Sequence, residues 1–231
     1  MKTILALSTA VIALALQPCA QPQSPAIQEK LASVKQAIAQ NQAALRQYTW
    51  TEQTNVSLKG EVKKSTTYQC HYGPDGSVQK VETSSSPSAA APQGGRLRQH
   101  VVEKKKDELK EYMEQAGALI KQYVPPDPQR MKADSNNVSL NRGGGGGLDL
   151  EFKNYVKPGD LLSLTFDPAA KALSNINVNT YMDSPSDAVT LQVNFQTLPS
   201  GVHCVSQTIL NAPAKNIQVQ TTSSNYQKMG P

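Results

Sequence analysis

From Tyr48 onward the chain repeats one local pattern: short runs in which apolar and polar side chains alternate, each closed by a Gly, Pro, Asn or Asp turn signal. A period of two sends neighbouring side chains to opposite faces of a strand, so these runs specify sheet with one buried and one wet face. In the first run Tyr48, Trp50, Thr54, Val56 and Leu58 point one way, and Thr49, Thr51, Gln53, Asn55 and Ser57 the other. Lys59-Gly60 turns the chain into a second run, where Val62, Thr66, Tyr68, Cys70 and Tyr72 alternate. Gly73-Pro74-Asp75-Gly76 then leads into a third strand over residues 77–83. An antiparallel meander follows.

The second half repeats the pattern at 138–140, 148–152, 162–166, 173–182, 189–195, 205–210 and 217–222, with turns at Lys157-Pro158-Gly159-Asp160 and across 167–171. That predicts roughly eight to ten strands in sequential hairpins, which curl rather than stay flat. Two segments change period. Ile27, Leu31, Val34, Ile38, Leu45 and Tyr48 recur at helical steps after the start signal Ser24-Pro25, with Asn41 and Gln42 breaking the stripe. Val102, Leu109, Met113, Ala116, Ile120 and Tyr123 mark a second amphipathic helix, stopped by Pro125-Pro126. Residues 127–134 add a short helical turn, and the Ser/Ala/Pro/Gly-rich stretch 84–99 reads as a flexible loop. The fold class is therefore α+β, a strongly curved antiparallel sheet covered by two amphipathic helices.

Residues 1–20 read as a secretory signal peptide, with Lys2 followed by an apolar run that ends at Gln17-Pro18, too short to span a bilayer. Residues 21–231 then form a single exported domain in the periplasm or cell envelope. Leu16-Gln17-Pro18-Cys19 shares only its Leu and Cys with a lipobox, so a lipid anchor on Cys19 is the lesser alternative.

Chemistry-bearing motifs are sparse. Charged residues make up 18% of the chain, and the formal net charge is +5. Lys104-Lys105-Lys106 lies among Glu103, Asp107, Glu108 and Glu111, which cancel its field, so the chain lacks the broad positive stripe of a nucleic-acid binder. The glycine run 143–147 is followed by Leu148-Asp149 where a phosphate loop needs Lys and Ser or Thr. Cys70-His71 and His203-Cys204 form a mirrored pair. Adjacent strand residues face opposite ways, which disfavours a zinc site; a Cys70–Cys204 disulfide and two separate thiols both stay open. No metal or cofactor is expected. Carboxylates such as Glu52, Asp75, Glu82, Glu151, Asp160, Asp167, Asp183 and Asp187 are scattered, and a hydrolase would require two of them to meet in a cleft.

The signal segment, leading helix, meander opening on an aromatic pair, helical insertion and long antiparallel return resemble the LolA-like proteins, the periplasmic lipoprotein carriers and outer-membrane lipoprotein-sorting proteins. The stretches Leu-Thr-Phe-Asp-Pro-Ala from Leu164, Asn-Thr-Tyr-Met-Asp from Asn179 and Val-Thr-Leu-Gln-Val-Asn-Phe from Val189 carry the resemblance. It implies an incomplete β-barrel whose concave apolar face, roofed by helices, holds a lipid or a lipoprotein acyl chain without catalysis, with peripheral contact to a membrane. On that basis Tyr48, Trp50, Val56 and Tyr68 are the expected cavity residues of the inner face, with Leu109, Met113 and Ile120 on the covering helix. An envelope module with a filled core and a protein partner is the first alternative.

Overall fold

The computed structural model describes residues 36, 39–87, 96–133, 138–142 and 146–230. The signal segment 1–20, Cys19 and most of the first expected helix lie outside the described residues, as do 88–95 of the expected loop and 143–145 of the glycine run. Helical residues 39–45 lead directly into the sheet.

Strands β1 (Tyr48–Leu58), β2 (Glu61–Tyr72) and β3 (Val78–Pro87) are followed by helices α1 (Arg96–Ile120) and α2 (Pro128–Ala133). Seven strands complete the chain: β4 (Val138–Arg142), β5 (Leu148–Lys153), β6 (Leu161–Asp167), β7 (Ala172–Tyr181), β8 (Ala188–Thr197), β9 (His203–Ala212) and β10 (Ile217–Lys228). They form one antiparallel sheet in the order β3-β2-β1-β10-β9-β8-β7-β6-β5-β4. The two meanders join where the last strand pairs with the first, from Tyr48 opposite Lys228 to Leu58 opposite Ile217. The sheet is not closed, and β3 and β4 are its edges. Register shifts at Thr49/Thr51, Val56/Ser57, Thr67/Tyr68, Thr165/Phe166 and Asn194/Phe195 insert extra residues into the ladder and bend it.

One helix-covered core lies over β5–β8. Phe152, Leu162, Leu164, Ile176, Val178, Leu191 and Val193 form its floor, and Tyr123, Leu119, Ile120 and Met131 close over them. Tyr123 is fully buried; its hydroxyl donates to Asp160 Oδ2 at 2.6 Å and accepts from Thr180 Oγ1 at 2.7 Å. The same Asp160 oxygen accepts the backbone N–H groups of Val156 and Lys157 at 3.0 and 2.8 Å. These donors replace the water lost by Oδ2, while the buried Oδ1 has no hydrogen-bond partner.

The loop expected over 84–99 is shortened at both ends, since α1 starts at Arg96 and β3 reaches Pro87, and one side chain faces the other way. β3 runs on to Pro87, because the Ser-rich stretch from residue 84 completes the backbone ladder with β2 as far as Lys64. An edge strand of this kind needs backbone partners more than large side chains. Val62, expected to face inward, is 51% exposed. The bulge at Val56/Ser57 sets it opposite Ser57, on the outer face. At the β2–β3 turn Gly76 adopts φ +78°, and a side chain there would collide with the Arg46 guanidinium at 2.7 Å.

Candidate functional site

The inward positions of β1 begin Tyr48, Trp50, Glu52, all buried. Trp50 stands opposite Cys70 of β2, which stands opposite Lys80 of β3. The Trp50 ring stacks on Tyr226 at 5.7 Å and 13°, and tilts against Tyr72 at 5.3 Å. Its indole N–H donates to Glu52 Oε1 at 2.9 Å, while Lys80 Nζ donates to Glu52 Oε2. The same ammonium sits 6.0 Å above the Tyr68 ring. Tyr48 donates through its hydroxyl to Ser200 Oγ at 2.9 Å. Asn41 bonds the backbone of His203 twice, accepting from its N–H and donating to its carbonyl, both at 2.7 Å. The result is an aromatic nest with one ion pair at its rim.

Electrostatics make this nest chemically quiet. Burial, with Glu52 adding to it, pushes the Cys70 thiol up to about 11. Burial raises Cys204, Tyr72 and Tyr226 as well. Thiols held protonated at neutral pH are not nucleophiles. Cys70 and Cys204 are both free and buried. β1 and β10 lie between their strands. Three strand spacings amount to roughly 14 Å, beyond the ~7 Å that a disulfide tolerates. Of the two pairings left open by the sequence, the bridge is absent: the two thiols stand apart on β2 and β9. Among the described residues no cluster of three or more His, Cys, Asp or Glu side chains could hold a metal.

Leu109, Met113 and Ile120 lie elsewhere. Together with Tyr112 they reach from α1 to Val189, Ala212 and Ile217, alongside Leu58 and Val219. This seam is at the Leu58 end of β1, some eight residues and about 26 Å from Trp50. Val56 pairs with Val219 and so borders the seam. The seven expected cavity residues thus divide: Tyr48, Trp50 and Tyr68 belong to the aromatic nest, Leu109 and Met113 to the seam, Ile120 to both the seam and the β5–β8 core, and Val56 lies beside the seam. α1 is tethered there by Tyr112, whose hydroxyl donates to Asp187 Oδ1 at 2.7 Å and whose ring carries Lys215 Nζ at 5.3 Å. Burial and that carboxylate raise the Tyr112 phenol.

Two open surface hollows lie at the sheet's ends. One of about 270 Å³ is lined by Ser57, Lys59, Gly60, Asn216, Ile217 and Gln218. Another of about 400 Å³ is lined by Arg46, Gln47, Lys228, Met229 and Gly230. Both have walls of mixed polar and apolar character, and neither includes a residue of α1. The two buried carboxylates, Glu52 and Asp160, keep separate partners: Trp50 and Lys80 for the first, the Tyr123 hydroxyl and the backbone N–H groups of Val156 and Lys157 for the second.

Sequence reasoning overlooked Glu52, Lys80, Tyr226 and Asn41 as members of the nest. Glu52 had a signal: it occupies an inward step of an otherwise apolar and Thr stripe. Asn41 had another, as the interruption of a helical stripe. Tyr226 had none, because the Thr/Ser/Asn run after residue 222 lacks the alternation that would extend β10.

No helix among the described residues is long and apolar enough to cross a membrane. No family model matches the chain, and no curated protein matches it. Among solved structures the chain is similar to a DUF1329 family protein from Desulfovibrio piger, with 10% identity, a TM-score of 0.39, and coverage of 86% of this chain and 92% of that one. At that distance the likeness carries neither fold nor function across to this chain.

Proposed function

We propose that the chain is an exported, non-catalytic binding protein that takes an acyl chain into the seam between α1 and the β8–β10 end of the sheet. One observation carries this reading. α1 meets the sheet there through Leu109, Tyr112, Met113 and Ile120, all half-buried, while the floor residues Val189, Ala212 and Ile217 are buried. A helix resting on the ends of long side chains can lift, and the thioether of Met113 repacks readily around a guest. An acyl chain hiding ~300 Å² gains about 7 kcal/mol from desolvation before the costs of ordering it. The neutral thiols and the separately partnered carboxylates support a role without chemistry.

Native mass spectrometry of the protein purified from its own envelope tests the proposal, with titration of a dansyl-labelled fatty acid as the second arm. Co-purifying lipid mass and saturable, blue-shifted fluorescence that Met113→Asp abolishes are expected. Repeated absence of both defeats the carrier. The alternative of an envelope interaction module draws on β3, a ten-residue edge strand whose Val78 and Val81 are 41% and 58% exposed. Such an edge can accept a strand from a protein partner.

A further inference from the structure

Strand β3 ends the sheet uncovered. β2 is its only strand neighbour, and residues 78–86 are all exposed. Alternate peptide groups along it therefore point away from the sheet, a template for one more strand. The opposite edge, β4, is five residues long against ten for β3.

Charge decides which strand fits. Lys80 stands opposite Cys70 and Glu82 opposite Tyr68, two steps apart in a regular stretch and so on one face. Lys80 Nζ donates to Glu52, and its side chain stays 46% exposed with further N–H donors to offer. The Glu82 carboxylate has no ion pair or hydrogen bond among the described residues. Charges set on the inner side of an edge strand turn away an uncharged strand laid beside them. A strand with opposite charges at the same spacing is accepted, and β3 itself carries them in that order.

We propose that β3 pairs antiparallel with β3 of a second copy of this chain, about a two-fold axis through Val81. Side chains directly opposite one another share a face, so an axis normal to the sheet has to pass through a residue. With Lys80 or Glu82 on the axis, like charges stand opposite each other, which is destabilising. With Gln79 there, Lys80 meets Val78 and Glu82 meets Gly76; with Thr83, they meet Ser86 and Ser84. Only Val81 sets Lys80 of each copy opposite Glu82 of the other. It also brings together the two Val81 side chains, each 58% exposed in the single chain. Each Lys80 then lies between its own Glu52 and the second copy's Glu82. The bulge at Thr83 interrupts the ladder beyond these central pairs, so the contact is short and the dimer weak. Because both copies use the same edge, assembly closes at two. β1 and β2 separate this edge from β10 and the α1 seam, so the inference names a partner for the β3 edge and stands apart from acyl-chain binding.

Sedimentation velocity of the full chain from about 10 µM to about 1 mM tests this, with a monomer–dimer equilibrium and no larger species expected. Glu82→Lys puts like charges opposite each other in both central pairs and should weaken the dimer about tenfold or more. Position 82 is exposed, and unchanged circular dichroism certifies the fold. Cysteine cross-linking reads the register. In Val81→Cys the two new thiols meet on the axis, with Cα atoms about 5 Å apart, inside the range of a disulfide, so mild oxidation should yield a covalent dimer. In Gln79→Cys they stand about 14 Å apart and should not join. The parent chain, with Cys19, Cys70 and Cys204, is the blank. A chain that stays monomeric overturns the proposal and leaves the acyl-chain reading to its own lipid measurement. Oligomers beyond two, which β3-to-β4 pairing would give, overturn it as well, as does a Glu82→Lys chain that dimerises like the parent. So does cross-linking that fails in Val81→Cys or is equal in the two cysteine variants.

Discussion

Two halves of one sheet face carry opposite chemistries on the same ladder. A single cross-strand row runs Thr66, Thr54, Thr221, Thr208 and then Val193, Ile176, Leu164, Leu150. Backbone pairing is continuous through it; what changes at β9 is only the loss of the hydroxyl. On the aliphatic side the face is roofed by Tyr123 and the end of α1. On the threonine side, Thr54 and Thr221 bond each other at 3.0 Å, and the aromatic nest and the Glu52–Lys80 pair follow one step along β1. β-branching keeps threonine as good a strand former as valine, so sheet formation is independent of which half is greasy. Folding energy should therefore reside mainly in β5–β8, and tolerance of change in β1–β3.

That contrast breaks most visibly at Leu162, fully buried at the centre of the aliphatic floor. Leu162→Ala should cost about 3 kcal/mol through lost transfer energy and the cavity left behind, measured by urea unfolding. If the loss is under about 1 kcal/mol, the β5–β8 half is not the source of stability.

The polar half should respond less, and unevenly. Glu52→Ala strands the buried Trp50 N–H and should cost about 2 kcal/mol. Lys80→Met removes the other partner of the same carboxylate, yet the Lys80 side chain is 46% exposed, and its loss should cost below about 1 kcal/mol. Equal effects from the two variants would mean that the ion pair rather than the indole bond fixes the nest.

Alternation was enough to place all ten strands and the helical insertion, because a period of two is a direct consequence of strand geometry. The pairing of β10 with β1 was not readable from local pattern, since nothing in the order of the elements says which strands become neighbours. Bulges were equally hidden: one extra residue at Val56/Ser57 sends Val62 outward without leaving a mark in composition. The candidate site was half visible. Trp50 meets Tyr72 and Tyr226, which come from strands far apart in the chain, while Tyr68 lies under Lys80 and Tyr48 bonds Ser200. Whether Cys70 and Cys204 meet was unreadable for a related reason, as two inserted strands separate cysteines that look symmetric in sequence.

A smaller effect follows from Cys70. Its thiol titrates near 9 ordinarily and about 11 in the fold, so between those values the unfolded chain has released a proton that the folded chain still holds. Stability is then full below pH 9 and falls as pH rises towards 11, with about 1 kcal/mol lost by pH 10. Cys70→Ala should flatten that decline in unfolding curves taken at pH 8, 9 and 10, whatever its cost at neutral pH. An unchanged slope would assign the alkaline loss to the buried phenols Tyr72 and Tyr226, which shift in the same direction.

The finest test of the two halves is a double-mutant cycle on the hydroxyl pair. Thr54→Val or Thr221→Val alone leaves one half-buried hydroxyl without its partner and should cost up to about 1 kcal/mol. The double variant removes both groups at nearly constant shape and extends the aliphatic row from β8 across β10 and β1, interrupted only at Thr208. Its stability should return to within a few tenths of a kcal/mol of the parent. Recovery would show that threonine in this half is a substitutable surface chemistry laid on a ladder that valine serves as well. Additive losses instead would mean that these hydroxyls hold more than each other, and that the polar half is as specifically built as the aliphatic one.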